Sequence, residues 1–185
     1  RVPSTELGRD ATDAARVPDA ASLDALIART SAAAASWGAR PAAERAAILH
    51  AAGAELERRR GDLLEIMAAE AGKTVDQGDP EISEAIDFAH FYADQARTLE
   101  QVDGARFTPA GVIAVIPPWN FPLAIPAGGV LAALAAGSAV VFKPAKLTQR
   151  CGAVVAEAPW AAGVPADVLA LVALADHDLG RQLVS

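Results

Sequence analysis

The residues best placed for chemistry form the string Pro-Pro-Trp-Asn-Phe-Pro at 117–122, directly after a β-branched apolar run at 111–116. Two prolines before the Trp-Asn pair favour an extended exit from a strand, and Pro122 suits a helix first turn, which needs no N–H donor there. The string therefore predicts that Asn120 sits at a strand tip with its side-chain amide free to donate. An alternative is that Asn120 only caps a rigid strand-to-helix turn, and spacing alone leaves both interpretations open.

A second candidate stretch, Phe-Lys-Pro-Ala-Lys, lies at 142–146 after another buried apolar run. A lysine that emerges from a buried parallel strand can meet an anion or a sugar hydroxyl. Lys143 is the residue in that position. The alternative is that its stem packs on apolar surface while the ammonium reaches solvent, and the residues alone leave this open as well.

Several other chemistries are disfavoured. The chain has no Gly-x-Gly-x-x-Gly after the first apolar run, no phosphate-binding loop motif and no Gly-x-Ser-x-Gly elbow. One Cys and three scattered His predict neither a disulfide framework nor a metal site. Cys151 lies among Ala and Val, so we expect a packed thiol rather than a nucleophile. A net charge of −7 disfavours nucleic-acid binding, and no apolar run is long enough to predict a membrane span.

The secondary-structure elements that must position these residues can be predicted from the order of apolar runs and helical patterns along the chain. Apolar runs that alternate with helical patterns predict parallel strands joined by right-handed crossovers, with ligands at the carboxyl ends of the strands. The predicted strands are 111–116, 138–142 and 168–172, and the predicted helices are 122–136, 148–162 and a last one starting near 176–178.

The chain is predicted to have three parts. Residues 1–20 are interpreted as an extended lead-in, 21–110 as a helical segment, and 111–185 as a partial dinucleotide-binding βαβαβα domain. Charge supports the division, because 1–110 carry 12 Lys/Arg and 19 Asp/Glu whereas 111–185 carry four of each. The predicted fold class is α/β, a Rossmann-like doubly wound parallel sheet of about three strands. We expect an open edge after the third strand and therefore self-association.

The two chemical stretches together resemble the aldehyde dehydrogenase superfamily. Residues 118–122 match its Pro-Trp-Asn-Phe-Pro signature, 142–145 resemble its Lys-Pro-Ala/Ser element, and Glu-Ala-Gly-Lys-Thr at 70–74 looks like its Glu-x-Gly-Lys helix end. The resemblance runs from about residue 20 to 185. Within the family, 84–93 and the short connection at 97–110 are most similar to the L-glutamate γ-semialdehyde (Δ1-pyrroline-5-carboxylate) dehydrogenases of proline-utilisation proteins.

The resemblance implies a cofactor-dependent oxidation. In the family, a Cys thiolate attacks an aldehyde, hydride passes to NAD or NADP, and water activated by a Glu releases the acid. By its match, Asn120 would donate its amide to the tetrahedral oxyanion, and Lys143 would contact the adenosine ribose. The residues that the resemblance assigns to cofactor binding are Ile116, Pro117, Pro118, Trp119, Lys143, Ala145 and Lys146.

Two positions depart from the family pattern. Lys146 stands where many members have a Glu that holds the ribose 2′-hydroxyl, so the sequence predicts acceptance of NADP or weakened selectivity for NAD. Ala173-Leu174 stands where Pro-Gly is common, which leaves the adenine-side loop open.

The resemblance covers only part of a family subunit. The family's nucleophilic Cys and general-base Glu have no match here, so we expect the 185-residue chain alone to be inactive. The intact enzyme is expected to be a cytoplasmic homo-oligomer acting on a small-molecule aldehyde, without nucleic acid. The alternative is a non-catalytic dinucleotide-binding or assembly module.

Overall fold

A computed structural model of the chain describes residues 4–99 and 101–185. The first part of the chain is helical, and the second alternates strands with helices, as the order of apolar runs and helical patterns predicts. The helical part contains α1 Arg9–Ala14, α2 Ala20–Gly38, α3 Ala42–Arg58, α4 Arg60–Ala71 and α5 Val75–Leu99, with a short strand, β1 Arg16–Val17. The second part contains β2 Val112–Val115, α6 Ala124–Ala135, β3 Ala139–Phe142, a 3₁₀ turn Lys146–Thr148, α7 Gln149–Ala161, β4 Leu169–Leu171, β5 Ala173–Leu174 and α8 His177–Leu183.

The centre of the second part is a parallel sheet in the order β2-β3-β4. Val115 pairs with Phe142, and Phe142 pairs with Leu171, so the carboxyl ends of the three strands meet at one edge. Every residue of β3 is buried, as expected for a central strand covered on both faces. The predicted α/β class with a Rossmann-like parallel sheet is confirmed.

The start of the chain differs from the expected extended lead-in. Residues 1–3 lie outside the described residues, but Arg9–Ala14 form a helix and Arg16–Val17 pair in parallel with β5. The Ala173 N–H donates to the Ala15 carbonyl at 2.8 Å, because the chain beyond β4 stays extended and presents free backbone donors. The predicted open edge after the third strand is present at β4, which has no strand on its outer side within the described residues, whereas β1 covers its continuation, β5. Within the described residues, β2 has no strand on its outer side.

Three helix boundaries also differ from the sequence pattern, which predicts an N-cap at Ser22, a break at Gly61 and a helix start near Pro80. The side chain of Asp19, rather than Ser22, caps α2 and accepts the Ser22 N–H at 2.8 Å. The break between α3 and α4 falls at Arg59, two residues before Gly61. Helix α5 starts at Val75 and contains Pro80, which stands near its beginning.

Helix α6 connects the helical part to the sheet. Gly128 of α6 faces the Phe88 ring of α5, and Gly129 faces Val115 of β2, where added Cβ atoms would stand 3.1 Å from their neighbours. The glycine pair is therefore a close-packing point inside a helix. The buried Trp37 ring ties α2 to the end of α6 by donating its Nε1–H to the Leu134 carbonyl at 3.0 Å. In the part of the chain described here, no helix combines the length and apolarity needed to span a bilayer.

Candidate active site

The site is built on the aligned strand ends. The Lys143 N–H donates to the Val115 carbonyl at 2.9 Å, and the Val172 N–H donates to the Phe142 carbonyl at 2.8 Å. This register places Ile116, Lys143 and Val172 beside one another where the strands end. Two of the predicted cofactor residues, Ile116 and Lys143, are therefore neighbours although 26 positions separate them in the sequence.

A cleft of about 310 Å³ opens at this edge of the sheet. Lys143 and Lys146 line one side of it, and the segment between β5 and α8 lines the other. Burial lowers the pKa of the Lys143 ammonium, whose Nζ lies 3.4 Å from the Pro144 carbonyl oxygen. The full lining is Lys143, Pro144, Lys146, Gln149, Leu174, Ala175, Asp176 and His177.

An adjoining cleft of about 410 Å³ shares Lys146 and Gln149 with the first and adds Arg16 from β1. No acidic residue lines this second cleft. Arg16 and Lys146 are both exposed, and neither forms an ion pair with a described residue. Sequence reasoning missed Arg16, because a basic residue in an assumed lead-in carries no signal of its position in space.

The predicted oxyanion donor lies on the bend that follows β2. Trp119 and Phe121 are 50% and 45% exposed, and Asn120 between them is also exposed. Within 4–99 and 101–185, no protein group forms a hydrogen bond with the Asn120 side chain. The amide is therefore free to donate to a ligand, as the first interpretation of this string requires. The residues at 116–120 and Ala145 do not line the two clefts.

Glu81 anchors the far end of this bend. Its Oε1 accepts the backbone N–H groups of Leu123 and Ala124 at 2.8 and 3.1 Å, and its Oε2 forms an ion pair with Lys73. The sequence pattern missed this role. The available signal was an acidic residue next to Ile82 and four residues before Ala85, within the buried stripe of α5.

Glu70 plays the corresponding part for the second strand end. Its carboxylate accepts the Cys151 N–H at 2.8 Å and the Arg150 N–H at 3.3 Å, and it forms an ion pair with the Arg150 guanidinium. The start of α7, after Lys143 and its neighbours, is thereby tied to the end of α4. The sequence pattern predicts Thr148 as the cap of α7, but its side chain makes no capping hydrogen bond.

Comparison with known proteins decides the family. The family model described as "Aldehyde dehydrogenase family" matches residues 9–185. The chain belongs to the aldehyde dehydrogenase family. The resemblance carried by the two motifs is confirmed over nearly the whole chain.

The relatives of this aldehyde dehydrogenase chain include three differently named proteins. It is 43% identical over 147 residues to the bifunctional protein PutA of Escherichia coli strain K12, covering 80% of this chain and 11% of that protein. It is 37% identical over 175 residues to the α-ketoglutarate semialdehyde dehydrogenase of Haloferax volcanii, covering 89% and 36%. It is 36% identical over 151 residues to the 1-pyrroline-5-carboxylate dehydrogenase 2 of Bacillus subtilis, covering 76% and 29%.

A solved structure agrees with this assignment. Proline Utilization A (PutA) from Corynebacterium freiburgense superposes with a TM-score of 0.82 at 42% identity, over 91% of this chain and 17% of that one. The chain thus spans about a tenth of the bifunctional relative from Escherichia coli and about a third of the other two relatives.

The chain's cysteine is a poor candidate for the family's nucleophile. Cys151 is fully buried in α7, and burial together with the nearby Glu70 carboxylate raises the pKa of its thiol. A thiolate is the reactive form, so this thiol is inert at neutral pH. The described residues also contain no group of three or more His, Cys, Asp or Glu that could hold a metal ion.

Proposed function

We propose that this chain is the N-terminal, cofactor-binding part of an NAD(P)+-dependent dehydrogenase that oxidises an aldehyde to a carboxylic acid. The observation that carries the proposal is the exposed Asn120 amide without a protein partner, on the bend beside the strand ends. A neutral amide suits this role because it is a fixed donor that cannot lose its proton.

The residues at the strand ends fit a dinucleotide. A bound nicotinamide cofactor would supply the acceptor for the hydride that leaves the substrate carbon. Lys143 is half-buried at the cleft, where its ammonium can donate to a ribose hydroxyl. The bend at 116–119 would line the nicotinamide-side path, and Asn120 would donate its N–H to the carbonyl oxygen as negative charge develops there.

Cofactor selectivity is proposed to depend on Lys146. An ammonium attracts a 2′-phosphate, whereas a carboxylate in that position repels it, and Arg16 adds a second positive charge to the same acid-free cleft. We therefore propose that NADP+ is accepted. In the intact enzyme, Lys146→Glu should lower the ratio of kcat/KM for NADP+ to kcat/KM for NAD+ by about ten-fold or more. A ten-fold change corresponds to about 1.4 kcal/mol of differential binding free energy.

Lys146→Gln is the matched control, because it removes the attraction without adding repulsion and should give an intermediate ratio. A strong preference for NAD+ that Lys146→Glu leaves unchanged would contradict this part of the proposal.

The proposed substrate is glutamate γ-semialdehyde, which would be oxidised to glutamate in proline catabolism. Relatives named PutA and 1-pyrroline-5-carboxylate dehydrogenase support it, whereas the Haloferax volcanii relative bears the name of another semialdehyde. The test is a comparison of kcat/KM for the two semialdehydes by the intact enzyme. Higher kcat/KM for α-ketoglutarate semialdehyde would overturn the substrate assignment, and turnover of neither would overturn the function.

The 185-residue chain serves as the control for this assay. Because Cys151 is buried and protonated, we propose that the chain alone binds cofactor but turns over no aldehyde. Aldehyde-dependent formation of NAD(P)H by the purified chain would contradict that proposal. Homo-oligomerisation of the intact enzyme stays a prediction from the family resemblance.

A further inference from the structure

The bend that carries Asn120 has no regular structure between the end of β2 at Val115 and the start of α6 at Ala124. Its three central residues, 119–121, are exposed, so core packing does not hold them. The direction must therefore come from the two ends of the bend. One end is the ladder of β2, and the other is the pair of N–H groups at Leu123 and Ala124.

Both of those N–H groups donate to one oxygen of Glu81, across 42 residues of sequence. Helix α6 has no side-chain cap of its own, so the carboxylate of α5 takes that place. A negative charge at a helix N-terminus also interacts favourably with the helix dipole. The start of α6 is thereby tied to a residue whose side chain is only 2% exposed.

Lys73 completes the arrangement from the other side. Its side chain is 12% exposed, its Nζ pairs with the second Glu81 oxygen, and the same Nζ lies 4.3 Å from the centre of the Phe121 ring. An ammonium over an aromatic face is attracted to the ring. One buried ion pair thus contacts the bend at Phe121, directly after Asn120, and at the first turn of α6.

We propose that Lys73 and Glu81 are positioning residues that fix the orientation of the Asn120 amide. The part that concerns catalysis rests on the proposed function of Asn120, whereas the structural part does not. Truncating Glu81 removes the acceptor of two N–H groups and leaves the Lys73 charge unpaired, so the bend should lose its anchor at both contacts.

The structural part can be measured directly, because Asn120 is the only asparagine of the chain. Selective ¹⁵N-Asn labelling of the 185-residue chain gives one backbone amide signal and one pair of side-chain NH₂ signals, which are referred to below as the backbone and side-chain signals. Glu81→Ala should shift both signals. Glu81→Gln should shift them less, because its amide oxygen can still accept the Leu123 and Ala124 N–H groups. Lys73→Met should shift them through the loss of the contact with Phe121.

Two controls separate positioning from general destabilisation. Glu84→Gln alters an exposed carboxylate on the same helix, and Leu56→Ala destabilises the core without touching the bend. Both should leave the Asn120 signals in place. If Glu81→Ala does not fold, Glu81→Gln and Lys73→Met decide the question. Unchanged Asn120 signals in every folded variant of Glu81 and Lys73 would overturn the proposal.

The catalytic part needs the intact enzyme. Glu81→Ala should lower kcat by about ten-fold or more, but by no more than the roughly 10²–10³-fold loss expected when the oxyanion donor is removed altogether. The KM for the cofactor should change much less. In an Asn120→Ala background, Glu81→Ala should cause little further loss of kcat, because a positioning residue has nothing left to position.

The outcomes of the two experiments are distinguishable. Losses of kcat that multiply independently in the double variant would overturn the positioning role in catalysis. If Asn120→Ala leaves kcat unchanged, the proposed function of Asn120 fails, while the labelled-asparagine spectra still decide whether Glu81 and Lys73 hold the bend.

Discussion

Helix α7 packs so closely on the second strand end that a single methyl group should disturb the cleft that Lys143 lines. A Cβ at Gly152 would stand 2.2 Å from Pro144 Cγ and 2.5 Å from Pro144 Cβ. Ordinary van der Waals contact begins at 3.4 Å, so the atoms must separate by about 1.2 Å. The proline ring cannot rotate away as a flexible side chain would, so Gly152→Ala should displace Pro144 and with it Lys143.

The magnitude follows from two opposing terms. Overpacking of this kind costs about 1–3 kcal/mol, and the better helix propensity of Ala returns up to about 1 kcal/mol. The net effect should be destabilisation, with Tm falling by about 2–4 °C per kcal/mol for a chain of this size. Because displacements near 1 Å can cost about 10²-fold in rate, kcat/KM for the cofactor should also fall in the intact enzyme.

The assay is thermal unfolding of the 185-residue chain, with Gly61→Ala as the matched control. Gly61 lies in α4, and a Cβ there would meet nothing within 4 Å, so the substitution should be neutral or stabilising by up to about 1 kcal/mol. The reasoning is refuted if Gly152→Ala is as stable as Gly61→Ala.

Three further predictions concern buried groups. Iodoacetamide should not modify Cys151 in the folded chain at pH 8, because burial raises the pKa of its thiol; rapid alkylation without unfolding would contradict this. Above about pH 8.5 the Cys151 thiol ionises in the unfolded chain but not in the folded one, because burial raises its pKa in the folded state. The free energy of unfolding should therefore be unaffected by this group below about pH 8.5 and should fall as the pH rises further. Urea unfolding measured across that pH range tests this. Trp37→Phe should lower the free energy of unfolding by about 0.5–1.5 kcal/mol, because the buried Leu134 carbonyl loses the indole donor and keeps only the Gly137 N–H. The half-buried Trp160 donates to the Leu169 carbonyl, and Trp160→Phe should cost less; equal costs would argue against burial as the cause.

The sequence was sufficient where residues signal locally. The β-branched runs before 117 and 143 predicted the two strands whose ends form the candidate site, and the motifs there predicted the exposed Asn120. The sequence predicted Lys143 at a strand end because a strand that is buried on both faces does not continue through a charged residue.

The sequence was insufficient where partners are far apart. The pairing of Arg16–Val17 with β5 involves strands of two residues, too short for any periodicity to show. The contact between Glu81 and the start of α6 spans 42 residues and joins a side chain to backbone N–H groups. Because almost every residue carries a backbone N–H, the residue types do not indicate which of them Glu81 binds. Thr148 was predicted to cap α7. Instead, tertiary packing brings the Glu70 carboxylate to the start of this helix, where it accepts the Cys151 N–H.

The central claim is that the Asn120 amide stabilises negative charge on the substrate oxygen, and Asn120→Asp tests it most directly. The substitution keeps the shape of the side chain but replaces the donor with an ionised acceptor. In the intact enzyme, kcat for aldehyde oxidation should fall by at least about 10²-fold while the affinity for NAD(P)+ stays close to that of the unmodified enzyme. A kcat within about three-fold of the unmodified enzyme would contradict the account.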